Sequence, residues 1–270
     1  HHENELLTSE LQTTNVQLKA LTGILQDELV LAREIQKNLL PDPSPNWPGL
    51  DMVCYSQAAQ EVGGDFYSYR RLDNDHYLVA VGDVSGKGVS AALLMAMSLS
   101  KFDEHFSDIR PLPERFALLD TALTPYKQPH RQNCALCCIE IGEVTQDSSI
   151  PVSMINAGCI PPYIKRVNGQ VEHPEIGGFA LGQGFGVTLG YQPHEMQLMP
   201  GDLLILTSDG VVEANNQAGD MLGFDQLMKI LVDGPTDDAA AMLKYLQLKI
   251  LEFTEQADQH DDMTIVVIRV

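Results

Sequence analysis

The chain has 270 residues, 44% of them hydrophobic, enough for one large domain or two small ones. Its 37 acidic residues outnumber 17 basic ones, for a formal net charge of -20. Such a surface repels nucleic-acid phosphates and anionic lipid, and no apolar run is long enough to span a bilayer, so neither nucleic acid nor membrane is an expected partner.

The first segment, to about Leu40, reads as one long helix. Leu7, Leu11, Thr14, Leu18, Leu21, Leu25, Glu28, Ala32, Ile35 and Leu39 alternate by four and three, the spacing that keeps one stripe facing a partner helix. Thr14 and Glu28 weaken the stripe, so a modest two-stranded coil is expected, a possible homodimer through residues 3–40; a single amphipathic helix folded back on its own domain is the alternative. The chain opens His1-His2-Glu3 already in helical pattern, which suggests a piece of something longer with an upstream sensor domain before it, or else the remnant of a tag. Pro41, Pro43, Pro45 and Pro48 stop the helix and force an extended linker. The expected division is a regulatory or dimerisation helix over 1–43 and one domain over 44–270.

From Leu50 the pattern turns to short strands: Leu50–Ser56, Phe66–Leu72, His76–Val84, Cys134–Ile141, Val152–Asn156, Pro162–Val167, Leu203–Ser208 and Thr264–Val270. Asn168-Gly169 is a hairpin turn signal. Helices fit Val89–Phe106, Leu112–Leu123, Phe224–Val232 and Asp237–Thr254. Strands joined by tight turns, with helices arriving in groups, predict an α+β fold: a mainly antiparallel β-sandwich with helices packed outside. Of the five cysteines, Cys134 and Cys137 have the spacing of a zinc knuckle but lack a second pair, and Asn133–Ile141 reads as a buried strand, so its cysteines are expected as small core residues, and Cys159 as a packed loop cysteine with a redox-sensitive residue as the alternative. An odd cysteine count, with no basic-then-apolar leader, points to the reducing cytoplasm.

Four acidic motifs interrupt this pattern where strands meet turns. They are Gly63-Gly64-Asp65, Gly82-Asp83-Val84-Ser85-Gly86-Lys87-Gly88, Thr207-Ser208-Asp209-Gly210 and Asp261-Asp262-Met263-Thr264. Two carboxylates about 4 Å apart repel by roughly 4 kcal/mol at an effective dielectric near 20. Convergent acids therefore call for divalent cations, and hard oxygen ligands favour Mg²⁺ or Mn²⁺. Glycine beside Asp65, Asp83 and Asp209 would let the backbone turn and aim the carboxylate, and the helix start after Gly88 would favour an anionic phosphate. Any one motif alone reads equally well as a turn or helix cap.

Together with Ala32-Arg33-Glu34-Ile35-Gln36-Lys37-Asn38-Leu39-Leu40-Pro41, these motifs, in this order, resemble the SpoIIE/RsbU branch of the metal-dependent protein phosphatases, the PPM family. The resemblance runs from about Ala32 to the C-terminus. It implies a PPM-type α-β-β-α sandwich, preceded here by the coiled-coil-like helix, with a two-metal site between the sheets. By carry-over, Asp65 bridges both metals, Asp83 and the Val84 carbonyl hold one, and Asp209 and Asp261 complete the other; Asp262 is a less certain neighbour. The implied reaction is hydrolysis of phosphoserine or phosphothreonine in a phosphoprotein by metal-activated water, with no phosphoenzyme. Lys87 is the nearest cation and would contact the phosphate, or else sit solvated in its loop. The implied substrate is a phosphorylated anti-sigma-factor antagonist of STAS type. Ser85 stands where many eukaryotic relatives carry a His, Ser68 where the family often has a second Asp, and Cys159 where it usually has His.

Two other readings compete. A nucleotide cyclase with a Gly-Gly-Asp-Glu-Phe-type turn would need a second acid where Phe66 stands, and would leave the other three motifs idle. A phosphatase fold kept only as a signalling or binding module would need no intact acids, but would accommodate Ser68 and Cys159.

Overall fold

The computed structural model describes residues 2–72, 76–107, 110–127 and 132–270. The chain falls into two compact units, His1–Leu39 and Leu40–Val270. The first is a single helix, α1 (His2–Leu39). Its seam leucines are exposed, Leu7 at 52% and Leu11 at 62% among them. The helix gives way at Leu40, since the residue before a proline is driven out of helical geometry.

The second unit begins with the proline-rich segment, which lies against the domain it leads into. The hydroxyls of Tyr67, Tyr69 and Tyr77 donate to the carbonyls of Pro41, Asp42 and Pro48, and Trp47 packs on the rings of Tyr69 and Tyr77. There follow β1 (Asp51–Gln57), β2 (Asp65–Arg71), β3 (Tyr77–Val84), α2 (Gly88–His105), α3 (Leu112–Lys127), β4 (Cys134–Ile141), β5 (Ile150–Ala157), β6 (Tyr163–Lys165), β7 (Val171–Glu172), α4 (Phe185–Leu189), β8 (His194–Leu198), β9 (Leu203–Thr207), α5 (Asp209–Val212), α6 (Gly223–Asp233), α7 (Ala239–Thr254) and β10 (Met263–Arg269).

Two five-stranded antiparallel sheets form, in the orders β1-β10-β9-β6-β7 and β2-β3-β4-β5-β8. Side chains alternate across each strand. Val79 and Val81 of β3 meet Val266 and Ile268 of β10 in the core between the sheets. Leu78 and Ala80 face outward into a second core with Phe102 of α2 and Phe116 of α3. On the far side, Ile265 and Val267 meet Leu227 of α6 and Leu246 of α7. The layers run α-β-β-α, as the strand and helix grouping implied.

The sequence pattern missed β7, β8, α4 and α5. Each is short, and β8 reads burial only at Leu198 of its five residues, too little periodicity to register. The hairpin at Asn168-Gly169 joins β6 to β7, with Gly169 at φ 88°. The cysteines are all free thiols. Cys134 and Cys137 project into different cores from opposite faces of β4, which is incompatible with a shared zinc.

Candidate metal centre

The four acids come from both sheets. Asp65 opens β2 and stands in register with Asp83 near the end of β3, so the two carboxylates leave the same face of one sheet. That face is the inner one, shared with Tyr67 and Val81. From the opposing sheet, β9 is separated by Ser208 alone from α5, whose first residue is Asp209, and Asp261-Asp262 leads into β10. Ser208 fastens these two chain segments: its N–H donates to the Thr264 carbonyl, and its Oγ accepts from the Thr264 N–H, both at 2.9 Å.

Asp262 joins the sheets. Its carboxylate accepts the Gly64 N–H at 2.6 Å and the Ala59 N–H at 2.8 Å. Both oxygens are thereby taken by backbone donors, whereas Asp261 remains 31% exposed at its side chain. Gly63 is required by this contact, and Gly64 by the close approach of Val84, rather than by any left-handed turn. A Cβ at Gly63 would fall 2.2 Å from the Asp262 Oδ2, and one at Gly64 2.3 Å from the Val84 carbonyl oxygen. The Val84 carbonyl thus lies beside the Gly-Gly-Asp turn.

Electrostatics record how close the acids stand. Burial, then Asp83, then Asp262 push the Asp65 carboxyl well above its ordinary range, against hydrogen bonding from Ser208 and Thr264. Asp83 is pushed up to about 7, by burial first and then by Asp209, Asp261 and Asp262. Asp209 is raised by burial, Glu213 and Asp261. The Lys87 Nζ lies 3.1 Å from the Asp261 Oδ2 and donates to the His260 carbonyl, so the expected cation sits at the rim on one of the acids. Lys87 is also the N-cap residue of α2, whose first turn carries no acid.

The donor set fits a hard divalent cation. It offers oxygen alone, and the Oδ2 of Asp65 is buried without a hydrogen-bond partner. Among the described residues no three Asp, Glu, His or Cys side chains converge into a ready cage. Mg²⁺ does not require one, since it is held by one or two carboxylates with water and substrate phosphate filling the remaining positions.

Two residues singled out as departures acquire definite places. Ser68 is three positions from Asp65 along β2, hence on its other face, paired with Ala80 and buried toward the helices; it has no bearing on the acids. Cys159 packs its thiol 3.6 Å from the Val81 carbonyl, and burial pushes that thiol well up, so it is a packed rather than a reactive cysteine. Sequence reasoning did not find the anchoring of Asp262 by Ala59 and Gly64, because backbone donors leave no side-chain signature.

The family described as Stage II sporulation protein E (SpoIIE) matches residues 73–270. The chain is 27% identical over 269 residues to phosphoserine phosphatase RsbU of Bacillus subtilis, covering 93% of this chain and 73% of that protein. It is 28% identical over 246 residues to phosphoserine phosphatase RsbP of the same organism, covering 87% of this chain and 55% of that one. Among solved structures, the SiaA-PP2C domain of Pseudomonas aeruginosa superposes with a TM-score of 0.80 at 23% identity, over 93% of this chain and 99% of that domain.

Proposed function

The chain belongs to the SpoIIE/RsbU branch of the PPM-type metal-dependent phosphatases, and on that premise we propose that it hydrolyses phosphoserine or phosphothreonine in a regulatory phosphoprotein at the Asp65–Asp83–Asp209–Asp261 centre. The observation that carries this reading is the in-register pair Asp65 and Asp83 on one sheet, with Asp209 and Asp261 at strand ends of the other. Asp65 would hold both of two Mn²⁺ or Mg²⁺ ions, Asp83 and the Val84 carbonyl one, and Asp209 and Asp261 the other. Bound there, the ions would lower the pKa of coordinated water and offset charge on the phosphoryl oxygens. Asp262 spends its carboxylate on the backbone of residues 59 and 64, and so keeps the two halves of the site in register. Lys87 stands at the rim, where its ammonium can pass from Asp261 to an arriving phosphate. No side-chain nucleophile is needed.

The substrate we propose is a phosphorylated anti-sigma-factor antagonist of STAS type, by analogy with the regulatory phosphatases RsbU and RsbP. Residues 1–43 form the regulatory helix and 44–270 the phosphatase domain, with an upstream sensor acting through the helix and a homodimer formed along residues 3–40. No described helix is long and apolar enough to cross a membrane, and the proposed setting is the cytoplasm. The test is turnover of p-nitrophenyl phosphate with Mn²⁺ or Mg²⁺. Wild type is expected to be active and Asp83→Asn to lose at least ~100-fold. A wild type that neither turns over the ester nor binds either ion would instead be a phosphatase-fold binding module.

A further inference from the structure

A cavity of about 330 Å³ opens on the α7 side of the first sheet, next to the chain segments that carry Asp209 and Asp261, bounded by the end of α7, the segment after α5 and the stretch leading to Asp261. It shares a wall with the proposed centre: Gly210 and His260, which line it, are chain neighbours of Asp209 and Asp261. Gln259, also in the lining, donates from Nε2 to the carbonyls of Asp261 at 2.7 Å and Gln57 at 3.0 Å, which fixes that wall. Its size falls within the range of ordinary ligand pockets.

The lining has a definite chemistry. It contains no lysine or arginine, and its one carboxylate, Asp258, is repulsive to anions, so it is not a second phosphate site. Ile250 and Met263 are the apolar part of the lining, and Asn215, Gln247 and Gln256, which also line it, have side-chain amides without hydrogen bonds among the described residues and open to solvent in part. Each amide offers a donor and an acceptor, which is what an extended peptide main chain presents in return. The mouth is shaped by two successive residues in the left-handed region, Glu255 at φ 51° and Gln256 at φ 64°. Gln217 holds that turn by donating to the Glu255 carbonyl at 2.8 Å.

We propose that this cavity is the subsite for the substrate's main chain on one side of its phosphorylated residue, read through side-chain amides. The inference rests on the phosphatase reading above. It is tested with two substrates: p-nitrophenyl phosphate, which needs only the acids, and a phosphoserine nonapeptide with uncharged flanks. Gln247→Trp and Ala257→Trp fill the cavity without touching the acids. Both are expected to raise KM for the peptide at least tenfold while kcat/KM for the small ester stays within twofold. Gln247→Leu, which keeps the bulk and removes both amide groups, is expected to raise the peptide KM about fivefold and stands in should a tryptophan variant fail to fold. Equal losses on both substrates, or no loss on the peptide, would overturn the subsite and leave the phosphatase reading intact. So would a wild type active on the ester but not on the peptide, because main-chain recognition is indifferent to flanking sequence. A wild type inactive on both would overturn the two readings together.

Discussion

Burial takes water away from Asp83, and three other carboxylates add negative potential, so its proton is held up to about pH 7 rather than at the usual 3.8. A carboxyl raised on folding binds its proton more tightly in the native state than in the unfolded chain. Its contribution to stability is therefore complete below 3.8 and is lost as the pH climbs through about 7. The metal-free protein should melt lower at pH 8 than at pH 5.5. That difference should shrink in Asp83→Asn, where each pKa unit removed is worth roughly 1.4 kcal/mol. Mn²⁺ should restore the melting temperature at pH 8 and do little at pH 5.5, because protons compete with the ion for the same oxygens. A pH slope identical in wild type and Asp83→Asn would show that this carboxyl is not held as described. At the same scale, Gly82 has a role its position in the motif did not disclose. A Cβ there would lie 2.3 Å from the ring of Phe66, its register partner, so the residue makes room for a core aromatic rather than aiming Asp83.

Among the elements, α6 ends in an arrangement no periodicity announces. Lys165 of β6 is buried to 1% exposure, and its Nζ donates to the Leu231 and Val232 carbonyls at 2.7 Å each. The ammonium satisfies carbonyls that a helix end leaves open and sits at the negative end of the helix dipole. Burial lowers its pKa, with Asp233 acting in the opposite direction. Lys165→Met keeps the apolar stem and removes the donors; it should cost about 1–3 kcal/mol in urea unfolding, with metal-dependent turnover per folded molecule unchanged. A lysine in a predicted strand reads as a solvent-facing residue, and nothing local to Tyr163-Ile164-Lys165 says that a helix some 65 residues later will end over it. The proline segment is similar: its four prolines announce an extended linker, but the three tyrosine hydroxyls that fasten it come from β2 and β3.

At the scale of the molecule, α1 is 38 residues long and carries its seam leucines exposed. A helix of that length spans about 57 Å, and an apolar stripe along it is stabilised by a second helix. Sedimentation equilibrium at micromolar concentration should give a dimer for the whole chain and a monomer for residues 40–270. Equal masses for the two would remove the proposed role of the helix in pairing. The same comparison of metal-dependent rates tests whether pairing is coupled to the acids.

The sequence by itself determined the chemistry on offer, the layer order and nearly all the long elements. Strand alternation, proline breaks and the four acidic motifs are local patterns, and local patterns survive being read along a line. Four-and-three spacing likewise marks α1 without any knowledge of its surroundings. How each acid is partnered was decided only in three dimensions. Asp261 and Asp262 are adjacent and chemically identical, yet one faces Lys87 and the other is consumed by the backbone N–H groups of residues 59 and 64, about two hundred positions away. Likewise Ser68 is separated from the acids only by the pleat of β2, and the cavity beside Asp261 is lined by segments from β1 to β10. Hydrogen bonds and burial between distant segments depend on how two sheets close on one another, and that closure has no counterpart in the order of the residues.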